Sequence, residues 1–264
     1  MTARGSPMAF DVSGNAYDRF MGRYSVPLAP IFADFAGVTS ASRALDVGCG
    51  PGALTAELVR RLGADNVAAA DPSPKFVEAC RARQPGVDVR QAPAEKLPWQ
   101  GAPFDAAMAQ LVLSFVKDGP TAAREMRRVV RPGGVVAACM WAAQDGMEML
   151  RLFWDAVLEL DPAAPDESAM PYRTVAELRA LWESAGLRQV ETGPLDVTAE
   201  YESFDDFWLA LLQGVGPAGA YAASLDDERR ARLREGCRQR LSRPAASFRL
   251  SARAWAVRGV VAHE

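Results

Sequence analysis

Histidine occurs once in the 264 residues, as His263. A Ser-His-Asp triad, a histidine-ligated metal or histidine acid–base chemistry would each have to rest on that tail residue, so all three are excluded as starting points. Cysteine is sparse as well. Cys49, Cys80, Cys139 and Cys237 lie far apart, without a C-x-x-C pair or a cysteine–histidine spacing. Neither a metal site nor a disulfide framework is expected, and the four read as buried free thiols. No window reaches the roughly 18 unbroken apolar residues of a membrane span, and Met1–Phe10 holds no apolar core of signal-peptide length. The expectation is a cytoplasmic chain without a membrane partner. Charge of one sign is also lacking, the net value being −3. That argues against a broad nucleic-acid surface. Arg229, Arg230, Arg232, Arg234, Arg238, Arg240 and Arg243 are interleaved with Asp226, Asp227, Glu228 and Glu235, which reads as a solvated helix face with pairing at i,i+4.

What is present is organised around Ala44-Leu45-Asp46-Val47-Gly48-Cys49-Gly50-Pro51-Gly52-Ala53. A buried strand breaks into glycines and becomes a helix whose Leu54, Leu58 and Leu62 recur every four residues. Glycine suits a turn with unusual dihedrals, and it lets a ligand approach the backbone without meeting a Cβ. Gly48, Gly50 and Ala53 also satisfy G-x-G-x-x-G/A, so a nucleotide-binding oxidoreductase is the alternative at this point. About twenty residues on, a small-residue strand ends in Asp71, where a carboxylate can grip a ribose diol.

Residues 1 to 13 read as weakly held. Asn15 to Phe35 reads as an amphipathic helix interrupted at Pro27 and Pro30. Its aromatics, Tyr17 among them, can act with Arg23 as a lid over a ligand at the glycine turn. Strands follow at 87–90, 104–110 and 135–141, with helices between them and an Arg131-Pro132-Gly133-Gly134 turn feeding the last. Five alternating strands predict a doubly wound parallel sheet. Beyond Trp141 come helices, a sixth strand at 187–197, two inserted helices at 203–212 and 226–241, and an antiparallel strand from Phe248. The organisation is a lid helix over residues 1–36 and one domain over residues 37–264, with a helical insertion at about 200–246.

Three blocks in order, Leu45–Gly52, Ala94-Glu95-Lys96-Leu97-Pro98 and Arg124–Gly134, give a chain that resembles the class I S-adenosylmethionine-dependent methyltransferases, in the small-molecule branch of the ubiquinone and menaquinone biosynthesis enzymes. The resemblance covers residues 15 to 141 by motif. It implies a mostly parallel, seven-stranded Rossmann-like sheet, S-adenosyl-L-methionine as cofactor and no metal. It also implies that Gly48, Cys49, Gly50 and Gly52 hold the methionine end above Asp46, and that Asp71, with Pro72 beside it, holds the ribose. Ala94, with Glu95, would face the adenine, and Gln110 and Leu111 the amino group. Pro93 departs from the family where relatives often place an acid, and Ser114 and Phe115 depart where many have paired histidines. Methyl transfer from a sulfonium is an in-line displacement that needs alignment more than a base, so one histidine suffices and no catalytic residue is named. The acceptor is expected to be small and largely apolar, in a pocket drawn from Met21, Phe115, Trp141, Tyr172, Phe207 and Trp208, with Phe153, Trp154, Phe204 and Leu211 nearby. A non-catalytic S-adenosylmethionine-binding module is the remaining alternative.

Overall fold

Short apolar runs alternating with one-faced helices satisfy their backbone groups most simply as a parallel sheet covered on both sides. The computed structural model has that form. It describes residues 13–39, 42–143, 146–164, 167, 169–241 and 247–263. Most of the segment expected to be weakly held, and residues 242–246 of the insertion, lie outside the described residues.

The chain opens with α1 (Gly14–Tyr17), a π-turn (Asp18–Gly22) and α2 (Arg23–Ala36). Next come β1 (Ala44–Val47), α3 (Ala53–Leu62), β2 (Val67–Asp71), α4 (Pro74–Arg83), β3 (Asp88–Gln91) and β4 (Phe104–Gln110). A 3-10 turn (Leu113–Phe115) leads to α5 (Gly119–Arg128), β5 (Val130–Trp141), α6 (Glu148–Leu160), α7 (Val175–Ser184) and β6 (Arg188–Tyr201). Helices α8 (Phe204–Leu211), α9 (Gly216–Ser224) and α10 (Asp227–Arg240) precede β7 (Phe248–Val260). The sheet order is β3-β2-β1-β4-β5-β7-β6, with β7 antiparallel to both neighbours and the other pairings parallel. The winding reverses between β1 and β4, which opens a crevice at the carboxyl ends of those strands.

Period-two alternation decides which side chains meet there. In β1, Ala44 faces the core under α2 and α3, whereas Leu45 and Val47 face the core under α5 and α7. Asp46 therefore points toward α3, where Thr55 waits.

Four local expectations are corrected. Pro27 and Pro30 do not interrupt the first helix but lie inside α2. Complete burial of Tyr24, Leu28 and Phe32, at about 1.5–3 kcal/mol each, is of the size of the ~3 kcal/mol that each of the two interior prolines costs, and the irregularity falls upstream at the π-turn. Arg131–Gly134 is not a turn before β5 but a bulge inside it. Phe104 pairs with Val130 and Ala106 with Val135, while Gly133 N–H donates to Val261 O across 2.8 Å. The insertion holds three helices among the described residues, because α9 forms on Ala218 and Ala222 without an apolar period to announce it. Lastly, β6 runs on to Tyr201. In α10, Arg232 pairs with Glu228 at the expected i,i+4 spacing, Arg230 and Arg238 pair at i,i+3 with Asp227 and Glu235, and Arg234 and Arg240 reach outside the helix to Asp205 and Glu159. No described helix is long and apolar enough to cross a membrane, and no described cluster of three or more His, Cys, Asp or Glu has the makings of a metal site.

Candidate functional site

The turn leaving β1 is held by its own backbone. Gly48 and Cys49 N–H both donate to Ala70 O, at 2.7 and 3.0 Å, so β2 fixes the turn from below. Gly48, Gly50 and Gly52 have φ of 72°, 52° and 101°, the left-handed region that side chains avoid. Their surroundings differ. A Cβ on Gly48 would stand 2.5 Å from Val112 Cγ2, and one on Gly52 would stand 3.1 Å from Cys80 Sγ. A Cβ on Gly50 would meet nothing within 4 Å, so of the three it is this one that faces open space.

Asp71 is built into the same turn. Its Oδ2 accepts Gly50 N–H at 2.9 Å and its Oδ1 accepts Ser73 N–H at 2.8 Å, each oxygen keeping further acceptor capacity. Burial pushes its carboxyl above the usual range, against the pull of those two N–H donors. Asp46 lies behind it, with the Thr55 hydroxyl donating to Oδ2 at 2.6 Å. Burial pushes Asp46 up to about 7, and the nearby charge of Asp71 adds to the shift. Tyr17 reaches the same place from α1, its ring edge-on to Phe76 with centroids 5.5 Å apart. Its phenol is pushed up by burial and then by the charges of Asp71, Asp18 and Asp46. Two buried carboxylates and a phenol around an open glycine favour a cationic ligand that carries hydroxyl groups.

Pro72 follows Asp71 and offers its carbonyl to Gln91 Nε2 at 3.2 Å. Ala94 is buried in a turn closed by Lys96 N–H to Pro93 O at 3.1 Å, and its own N–H has no partner among the described residues. At the end of β4, Gln110 Nε2 donates to Ser25 O at 2.9 Å, while Gln110 Oε1 and Ser25 Oγ are buried without a partner among the described residues. Leu111 has φ 63°, a strained value for a branched side chain, with its N–H donated to Cys139 O at 2.8 Å.

Beside the turn lies a cavity of about 60 Å³. Tyr17, Met21, Leu111, Phe115 and Trp141 line it, so the structure gathers these five. Tyr172, Phe207 and Trp208 are not among its walls. The Tyr172 hydroxyl lies 2.3 Å from where Gly119 would carry a Cβ, over the start of α5. Phe207 is fully buried between Tyr201, Phe204 and Phe248. Trp208, Phe153, Trp154, Phe204 and Leu211 likewise belong to the core. Two further expectations change. Arg23 does not reach the glycine turn, because its guanidinium pairs in bidentate fashion with Asp206 and lies 4.7 Å above the Tyr201 ring. Glu95 Oε1 accepts the N–H groups of Lys117 and Asp118, at 2.7 and 3.2 Å, and so serves a neighbouring loop.

Phe20, one of the aromatics of the expected lid, also lines the cavity, whereas sequence reasoning missed Met140, Leu150, Met170, Arg173 and Val215-Gly216-Pro217. Arg173 is buried and donates to Trp141 O at 3.2 Å, Ala142 O at 3.1 Å and Glu167 O at 2.7 Å, tying the tip of β5 to the loop before α7. No local pattern announces a long-range contact of this kind.

Among known proteins, the family model described as a methyltransferase domain matches residues 45–138. A malonyl-[acyl-carrier protein] O-methyltransferase from Salmonella typhimurium is 31% identical over 194 residues, which are 72% of this chain and 71% of that protein. A ubiquinone biosynthesis O-methyltransferase from Methylocella silvestris is 43% identical over 100 residues, 36% of this chain and 38% of that one. Over its foremost matches the chain spans about half the length of the curated relatives or less. In fold, a putative methyltransferase from Bacillus halodurans superimposes with a TM-score of 0.58 at 15% identity, over 89% of this chain and 99% of that one.

Proposed function

Since the chain belongs to the S-adenosylmethionine-dependent methyltransferases, we propose that it moves a methyl group from that cofactor to a small, largely apolar acceptor by in-line displacement. The observation that carries this reading is the Gly50–Asp71 contact, an open left-handed glycine joined to a buried carboxylate with Asp46 behind it. S-adenosylmethionine is a cation with a ribose diol, and these residues fit it. A dinucleotide's ribose would use the same strand-end acid, so it is the family relationship that disfavours the dinucleotide alternative.

In this reading Gly48, Cys49, Gly50 and Gly52 receive the methionine end, with Gln110 and Leu111 at the amino group. Asp71, beside Pro72, accepts from the ribose hydroxyls, and the Ala94 N–H faces the adenine. Tyr17 is shared between the glycine turn and the cavity. When bound, the cofactor supplies an electrophilic methyl group. The chain aligns the acceptor with it and excludes water. The cavity walls of Met21, Leu111, Phe115 and Trp141 support an apolar acceptor, while Met170, Arg173 and Val215–Pro217 from the later part of the chain complete the lining. A volume of about 60 Å³ is well below the ~300–1,000 Å³ of pockets that hold drug-sized ligands, so the reading requires the helix over residues 14–36 to act as a lid that yields when the acceptor enters.

Calorimetry with S-adenosylhomocysteine tests the cofactor half. Wild-type protein should bind one equivalent and leave NADH unbound. Asp71→Asn should weaken binding about 10- to 100-fold, the worth of a hydrogen bond to a charged acceptor. Binding of NADH in preference to S-adenosylhomocysteine would refute the reading. With S-adenosylhomocysteine saturating, a catechol probe should bind where a polar dicarboxylate does not; the reverse order would refute the apolar acceptor.

A further inference from the structure

The family pattern includes a block over the end of α5 and the start of β5, Arg124–Gly134, that does not line the glycine turn or the cavity, and the partners of its helical part explain its presence. Leu97 N–H donates to Glu125 Oε2 at 3.0 Å. Arg128 returns the contact, donating through Nη2 to Leu97 O at 3.1 Å and through Nη1 to Trp99 O at 2.9 Å. Arg128 and Glu125 are themselves joined, Nε to Oε1 at 2.7 Å and Nη2 to Oε2 at 2.8 Å. Both backbone groups of Leu97 are thus gripped by one ion pair. At the other end of the same helix, Asp118 caps α5 by accepting Thr121 N–H at 3.1 Å, and Glu95 holds the N–H groups of Lys117 and Asp118. The loop itself hangs from β2 through Ala92 N–H to Asp71 O at 3.1 Å. Ala94, buried and with its N–H without a partner among the described residues, sits in the turn between these anchors.

We propose that the Glu125–Arg128 pair is a positioning element for base recognition, holding Leu97 so that the Ala94 N–H meets the adenine ring and discriminates it from a base that presents a donor at the same place. This inference rests on the proposed cofactor reading. Neither side chain touches the cofactor; both act through Leu97. The pair is charged at neutral pH, because its hydrogen bonds to Arg128 hold the Glu125 carboxyl below the ordinary range.

The experiment compares S-adenosylhomocysteine with its inosine analogue, S-inosylhomocysteine, whose ring carries N1–H where adenine has an acceptor. Wild-type protein should prefer the adenine compound by about tenfold or more, since a donor facing a donor leaves both unsatisfied. Glu125→Ala should reduce that preference to about threefold or less, and Glu125→Gln, whose amide oxygen still accepts from Leu97, should keep most of it. A merely structural loss would weaken both ligands by the same factor and leave the ratio unchanged, and that result would overturn the inference. So would a wild-type chain that binds the two compounds equally. Arg128→Met, which removes the contacts to Leu97 O and Trp99 O, carries the same expectation if Glu125→Ala does not fold. A wild-type chain that binds neither compound defeats the cofactor reading and this inference with it, whereas a preference retained in both α5 variants defeats the inference alone.

Discussion

Replacing Asp46 by Asn should stabilise the ligand-free protein above neutral pH and remove most of the pH dependence of its stability between pH 5 and 8. Asp46 is 1% exposed, and burial raises its carboxyl from the ordinary 3.8 to about 7. The folded chain then holds a proton that the unfolded chain has already released. The contribution of Asp46 to stability is therefore greatest at low pH and falls as pH rises through the interval between the two values. A shift of about three pKa units corresponds to ~4 kcal/mol over the full interval. Roughly 2.5 kcal/mol of that falls between pH 5 and 8. At about 2–4 °C per kcal/mol for a chain of this size, the wild-type melting temperature should drop by roughly 5–10 °C across that window. Asparagine keeps an acceptor for the Thr55 hydroxyl and carries no charge, so the variant should drop by less than about 3 °C, the remainder coming from Asp71, whose shift has the same sign. Glu57, lowered to about 2, and Asp88, Asp105 and Glu125, also held low, titrate below the window. Differential scanning calorimetry at four pH values reads the result. A wild-type melting temperature that stays level or rises from pH 5 to 8, or a variant with the wild-type slope, would refute the reasoning.

Other expectations follow from single contacts. Gly50→Ala places a methyl group where nothing stands within 4 Å; it should cost about 1–2 kcal/mol of stability for the left-handed backbone and at least about tenfold in S-adenosylhomocysteine affinity. Unchanged affinity would show that no ligand approaches that glycine. Arg23→Ala removes the partly exposed pair with Asp206 and the stacking on Tyr201, and should lower stability by about 1–2 kcal/mol while S-adenosylhomocysteine affinity stays within about threefold. A collapse of affinity in that variant would place Arg23 at the cofactor after all.

The part of the fold that could be read in the sequence is the part written in local periods. The apolar spacing of α3, the Ser73-Pro74 start of α4, the capping box that opens α7 and the alternation of strand and helix each state a short-range preference. The glycines and Asp71 were legible because a tight turn and a strand-end carboxylate occupy fixed offsets. Arg23 was misplaced because its partner stands 183 residues away, and residues three or four apart say nothing about such a pair. The cavity was half legible for the same reason. Met21 and Trp141 come from the N-terminal helical segment and a strand tip, whereas Arg173 and Val215–Pro217 arrive from a loop and the start of α9, whose positions depend on the whole sheet. Aromatics at helical spacing misled in turn, as Phe207 and Trp208 are held by the core of α8.

Tyr201 and Phe248 are directly opposite each other on the last rung between β6 and β7, their rings stacked with centroids 5.3 Å apart. Everything in α8, α9 and α10 leaves the sheet and returns to it through this doorway. A segment whose ends already touch can be exchanged, lengthened or trimmed at little entropic cost to its host. The wall that α9 contributes to the cavity therefore behaves as a cassette, joined to the sheet at one rung and separate from the glycine turn seated on β1 and β2.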